Sequence, residues 1–193
     1  NGLNAAFAGQ IMPTLSGDGS GGALIVWQDF RGGNADVYAQ RVSPSGALLW
    51  GGGVGGVLVS SGPTLNGEQG GGGFVADDGG LFVFFYDSAT IAQGGLNWRV
   101  QKLNRETGAL QFETFGRWLA STPVQSYVGA GNPVRDGVNG FMGVWGDRRD
   151  GSANAYAVRV DADGNKLWEI VLSSAAHDQG LAIQSITDDA GGL

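Results

Sequence analysis

Three aspartates, Asp29, Asp87 and Asp147, each close an apolar run, and basic residues accompany them: Arg31 and Arg149 two positions on, then Arg41, Lys102 and Arg159 further along. Carboxylates and cations at this spacing could do two kinds of work. Gathered around a channel, they would form a charged ring for a ligand. Paired inside one repeat, bidentate where the cation is Arg, they would tie a loop to the next strand. Recurrence favours the tie, because a catalytic site normally breaks the symmetry of a repeat. The segment Asp161-Ala162-Asp163-Gly164-Asn165 places oxygen ligands at alternate positions, as Ca²⁺ prefers, so Asp161, Asp163 and Asn165 are the metal candidates. Its counterpart, Ser43-Pro44-Ser45-Gly46-Ala47, keeps the turn and loses the carboxylates, which makes the segment a turn first. His177 is the only histidine and stands in a polar linker, and Asp77-Asp78 and Asp188-Asp189 sit in turns where Asp is favoured for conformational reasons. No nucleophile, phosphate cradle or closed metal site is legible, so no catalytic residue and no cofactor other than the weak Ca²⁺ candidate is assigned.

Aromatic residues offer the other chemistry, stacking on a sugar ring or a partner protein. Trp50, Trp168 and Phe112 stand at matching places and are expected to fill the wedge between neighbouring repeats. Trp98 and Trp118 fall in an irregular unit and are the better recognition candidates. So are Ser88 and Gln93, in the insertion Ser88 to Gly95, because loops on a rigid β scaffold are where binding tends to reside.

The elements that hold these residues come from a repeat. Trp27 to Trp50 and Trp145 to Trp168 are one segment written twice, 118 positions apart, and Trp27, Asp29, Arg31, Tyr38, Arg41 and Trp50 recur as Trp145, Asp147, Arg149, Tyr156, Arg159 and Trp168. A weaker copy lies between them: Gly79-Gly80-Leu81 aligns with Gly21-Gly22-Ala23, Phe85 replaces Trp27, and Lys102 falls opposite Arg41. Asp188 to Leu193 echoes Asp18 to Ala23 and begins a fourth copy. Each unit reads as four short strands separated by Gly-rich turns. The second, Gly22 to Asp29, is apolar on both faces, which signals burial on both sides, and no sustained helical period occurs.

Four strands per unit and a doubly buried second strand predict an all-β fold built of four-stranded antiparallel β-propeller blades. A β-sandwich has similar strand spacing but does not predict one sentence repeated with its turns in place, and β-solenoid repeats are usually shorter. The blades are expected at about 10–60, 63–120 and 124–173, with the start of a fourth at 180–193. About three blades and the start of a fourth imply a piece of a larger ring, roughly seven or eight blades, within the four-to-eight range of propellers.

Gly accounts for 37 of the 193 residues and Pro for only 5, which suits many hairpins, and the interleaved apolar residues are enough to build a core. The net charge of −7 disfavours a nucleic-acid partner, whose phosphates demand a basic surface. No run of 18 apolar residues is present to span a membrane as a helix. The absence of Cys excludes disulfides and thiolate chemistry.

The sentence DGSGGALIVWQDFRGGNADVYAQRVSPSGALLW, Asp18 to Trp50, resembles the repeats of large secreted bacterial proteins of the Bacteroidota and related phyla, which often end in a sorting domain. The likeness is strong over Asp18 to Trp50, good over Gly140 to Trp168 and weak in the middle unit. It implies a β-propeller at the cell surface or outside a Gram-negative bacterium, and it supplies no reaction. The Asp161 to Asn165 hairpin also resembles in part the Asp-box of sialidase-like propellers, with its Gly one place early. The sequence thus leads to the expectation of a non-catalytic extracellular propeller, a binding or structural module whose partner is a protein or a surface glycan, including as a subunit of a larger complex. The alternative is a polysaccharide-active propeller, hydrolase or lyase, with catalytic groups partly outside these residues.

Overall fold

The structure is a computed structural model and describes residues 9–51, 55–60, 68–87, 97–120, 127–149 and 151–174. Among these residues all strands and no helices are found, in three antiparallel sheets. The first sheet runs β1 (Gln10–Gly17), β2 (Ala23–Asp29), β3 (Asp36–Val42) and β4 (Val57–Ser60) in chain order. The second repeats that order with β5 (Glu68–Val75), β6 (Leu81–Asp87), β7 (Asn97–Leu103) and β8 (Arg117–Ala120). The third contains β9 (Tyr127–Ala130), β10 (Val134–Arg135), β11 (Phe141–Asp147), β12 (Asn154–Val160) and β13 (Lys166–Ser173), with β9 and β10 both paired to β11.

That fifth strand comes from the device that distorts the first strand of all three sheets. In β1 the pairing slips between Ile11 and Thr14, with Met12 at φ 53°, and in β5 it slips between Gly70 and Gly72. In the third sheet the extra residue falls among Gly131 to Pro133 and breaks the strand in two. A bulge inserts one unpaired residue and sharpens the local twist. The sequence places the fourth strand over Ala47 to Gly51, resuming near Val57 to Ser60; of the first part only Leu48 bridges, to Val42, and the second part is β4 itself. Gly51, Gly55 and Gly56 all lie at positive φ, a conformation that breaks the pleat.

The second strands are buried on both faces as their composition requires: every residue of β11 is buried, and in β6 all but Tyr86. The chain divides into two compact units, one of Asn1–Val75, Gly79–Thr90 and Trp98–Trp118, the other of Ala76–Asp78, Ile91–Asn97 and Leu119–Leu193. Inside the first, an apolar core joins Leu24, Val26, Val37, Ala39, Trp50 and Val59 of the first sheet to Val75, Leu81, Val83, Phe85 and Leu103 of the second. The glycines of β5 allow the close approach, since a Cβ on Gly73 would stand 2.8 Å from Leu24 Cδ2. The first and second sheets therefore pack face to face, and the charged groups are left at the two ends of the strands.

Candidate functional site

Two Asp–Arg systems recur, at opposite ends of the sheets. The first lies where the second strand ends. The β2 pleat puts Trp27 and Asp29 on one face, so the Trp27 indole N–H donates to Asp29 Oδ2 at 2.9 Å. The chain then turns back, and the Arg31 amide donates to Asp29 Oδ1 at 2.9 Å while its guanidinium donates to Oδ2 at 2.6 Å. That guanidinium lies 3.9 Å above the Tyr38 ring, which stacks on Trp27, and also donates to the Gly55 carbonyl. Trp145, Asp147, Arg149 and Tyr156 rebuild the cluster in the third sheet: Trp145 donates to Asp147 at 2.9 Å, and Arg149 sits 4.3 Å over Tyr156 and reaches Glu169 at 3.0 Å.

The second sheet assembles the same triad from other positions. Phe85 stands where Trp27 would be and no Arg follows Asp87 by two residues. Instead Arg99, in the strand position of Tyr38, bonds Asp87 at 2.9 Å and lies 3.4 Å from the Trp118 ring. Carboxylate, guanidinium and aromatic ring are all kept, with the cation moved to the strand position of Tyr38 and the ring supplied by Trp118 on β8.

The other system corrects the grouping of Arg41 and Arg159 with the strand-end aspartates. Arg41 Nε donates to Asp18 at 2.8 Å and Arg159 Nε to Asp136 at 3.0 Å, both at the start of the second strand. Asp18 also accepts from the Ser20 amide and hydroxyl and from the Gly22 amide, and Asp136 from the Val138 and Gly140 amides. Gly22 and Gly140 are required there, because a Cβ on either would strike the facing strand carbonyl and the carboxylate that wraps it. The sequence carried a signal for this pairing. The middle copy has Ala76 in place of Asp18 and Lys102 in place of Arg41, so both partners are lost together, and Lys102 lies 5.3 Å from the Phe82 ring instead.

Electrostatics follow from these contacts. Burial alone would push Asp29 up, but hydrogen bonds from Arg31, Trp27 and the Arg31 amide outweigh it and hold the carboxyl below the usual carboxylate range. The same contest lowers Asp18, where Arg41, Ser20 and Gly22 overcome burial, and Asp136, where Val138, Arg159 and Gly140 do so. The hydrogen bond to Asp29 raises Arg31, and the one to Asp147 raises Arg149. Asp36, directly across from Asp29 in the β2–β3 ladder, behaves oppositely: burial and the Asp29 charge raise it, with only Arg31 pulling it down. Burial likewise raises the Tyr38 hydroxyl.

The remaining candidates separate clearly. Trp98 is buried against Phe84 at 6.1 Å, so it offers no recognition surface, contrary to expectation; the irregular sequence around it concealed an ordinary inward position on β7. Trp118 is 39% exposed, with one of its faces occupied by Arg99. Ser88 and Gln93 lie outside the described residues. Asp161 is committed to its own turn, accepting from the Asp163 amide at 3.0 Å, the Asn165 amide at 2.8 Å and the Asn165 side chain at 3.1 Å. Among the described residues no three His, Cys, Asp or Glu side chains group as a metal would need. Trp50 is buried between the first two sheets, and Trp168, its counterpart, is half-buried.

Chemically, the strand-end carboxylates are closed. A glycosidase needs two carboxyl groups roughly 5–9.5 Å apart and free to reach a sugar. Asp29, Asp87 and Asp147 each spend their oxygens on a guanidinium of their own sheet, and the Trp–Asp pairs add an indole N–H. In the first and third sheets the arrangement pins the turn after the second strand, and in the second it ties β6 to β7.

No family model matches the chain, and no curated protein matches it. Among solved structures it is similar to an endo-arabinase from Bacteroides thetaiotaomicron VPI-5482, at 15% identity and a TM-score of 0.48, over 84% of this chain and 61% of that one. The chain thus spans less than two thirds of that enzyme's length, and no residue role is carried across at this level of likeness. Among the described residues no helix is long and apolar enough to cross a membrane.

Proposed function

We propose that the three sheets are blades of a β-propeller and that the chain is a non-catalytic binding or structural module of a secreted or cell-surface assembly in a Gram-negative bacterium, engaging a protein or a surface glycan. The observation that carries the reading is the closure of Asp29, Asp87 and Asp147 by Arg31, Arg99 and Arg149. These are the carboxylates best placed by sequence to act, and each is used inside its own sheet. The location rests on the Asp18 to Trp50 repeat sentence alone.

A polysaccharide-active propeller, hydrolase or lyase, is the second reading. The endo-arabinase lies nearer to it than to the first, and in this chain the exposed ring of Trp118 favours it, as a surface on which a sugar could stack. The two readings part on turnover. Incubation with arabinan and a panel of other plant and bacterial polysaccharides, followed by reducing-end and unsaturated-product assays, is expected to show no product. Product formation that a single substitution among residues 1–193 abolishes would overturn the first reading.

A further inference from the structure

The middle copy departs from the others on its outermost strand. In the first sheet the Arg31 guanidinium donates to the Gly55 carbonyl at 2.9 Å, and in the second Arg99 donates to the Phe115 carbonyl at 3.1 Å. β4 and β8 also share one burial pattern, position by position. Phe115 therefore stands where the first copy has Gly55, and Trp118 where it has Leu58. The third sheet has Val171 at that last place, opposite Tyr156 as Leu58 is opposite Tyr38. Two aromatic rings, 43% and 39% exposed, are displayed in the second sheet where the first has no side chain and an aliphatic one. A requirement of the fold would recur from copy to copy, and this pair of rings does not.

The pair is rigidly held. Arg99 and Asp87 are buried together, with side chains 6% and 3% exposed and 2.9 Å apart. The same guanidinium lies 3.4 Å from the Trp118 ring and bonds the Phe115 main chain, so one buried ion pair fixes both residues. On β8, pleat alternation gives Leu119 the buried face and Trp118 the open one. The inner face of the indole replaces Tyr38 as the cover over a guanidinium, and its outer face has no such work. A ring fixed in advance loses little conformational freedom when a ligand stacks on it.

Size and charge indicate the ligand. Two rings open to about two fifths present on the order of 150–200 Å², whereas a stable protein partner needs about 800 Å². That area suits one or two sugar rings. Arg99 is spent on Asp87, the neighbouring Arg117 pairs with Glu113 at 3.4 Å, and the chain carries a net charge of −7, so an acidic glycan is disfavoured. We infer that Trp118 and Phe115 form a stacking platform for a neutral polysaccharide. The inference rests on the reading of the chain as a binding module and narrows its ligand.

Native electrophoresis through gels containing xylan, mannan, mixed-linkage β-glucan or arabinan tests it, with polygalacturonate as the acidic comparison. At least one neutral polysaccharide is expected to retard the chain more than polygalacturonate does. Trp118→Ala should weaken that retention about tenfold or more, and Phe115→Ala about threefold or more. Leu58→Ala, at the matching place in the first sheet, should leave it unchanged. Circular dichroism verifies folding. Phe115→Ala keeps the main-chain carbonyl that Arg99 uses, and so serves as the readout should Trp118→Ala not fold. Retardation by no neutral polysaccharide, a preference for polygalacturonate, retention that survives both ring substitutions, or binding of a labelled decaproline peptide in place of a polysaccharide would overturn the inference. Product assays on the same polysaccharides separate it from the reading beneath it. Neither retention nor product removes the platform alone, while retention with product overturns the non-catalytic reading and leaves the platform standing.

Discussion

The indole N–H of Trp50 donates to the carbonyl of Arg105 at 2.9 Å, and this bond couples one repeat to the next across 55 residues of chain. Trp50→Phe keeps the ring and deletes the bond, and should cost about 1 kcal/mol. Trp50→Ala should cost about 3–5 kcal/mol through the cavity between the first two sheets. Gly108→Ala, at φ 73° and against the Trp50 ring, should destabilise by more than about 1 kcal/mol. Urea unfolding of the three variants checks the order Ala at 50 above Phe at 50.

Asp18 and Arg41 form a buried pair, with side chains 0% and 9% exposed. Removing one partner leaves the other charge uncompensated, so Asp18→Ala should cost about 3–5 kcal/mol. Asp161→Ala, in a turn of similar build that ties no guanidinium, should cost about 1 kcal/mol or less. A double-mutant cycle of Asp18→Ala with Arg41→Ala should show the two losses to be strongly non-additive; simple additivity would mean that the pair does not act as a unit.

Stability should depend on pH in two opposing ways. Asp18, Asp29 and Asp136 have folded values below the unfolded value of about 3.9. Their stabilisation is full above that value and is lost as the pH falls through the folded ones. Asp36 is raised, so its contribution is present at low pH and lost as the pH rises through its folded value. Asp36→Asn, which reproduces Asn154 of the third sheet, should therefore raise Tm at neutral pH, and the gain should shrink as the solution is acidified. Thermal melts of both proteins between pH 7 and pH 2 test this, and a gain that grows on acidification would contradict it.

Ca²⁺ should leave the melting temperature unchanged. Both oxygens of Asp161 already accept hydrogen bonds from the turn they close. A rise in Tm with millimolar Ca²⁺ that chelator reverses, and that Asp161→Ala removes, would show a metal site there.

The sequence made the strands and the strand-end ties legible because both depend on short-range pattern: two-sided apolar runs, Gly-rich turns, and an Asp two residues from an Arg. It was less informative wherever partners lie far apart within one copy or change positions from copy to copy. Arg41 reaches back to Asp18 across 23 residues, and Arg99 does in the second sheet what Arg31 does in the first. Trp98 looked like a recognition residue because its surroundings break the repeat, yet pleat alternation still turns it inward against Phe84. The bulges in the first strands leave only an uneven mark, Pro13 and Pro133 in two copies and Gly71-Gly72 in the third, residue types that a strand tolerates at such slips.

The most direct test of the claim that the strand-end carboxylates are ties is the titration of the Asp29 carboxyl carbon, followed by NMR. The account predicts an inflection below the ordinary value of about 3.9, held there by Arg31 and Trp27 against burial. An inflection displaced upward toward about 6, where a general acid operates, would contradict it.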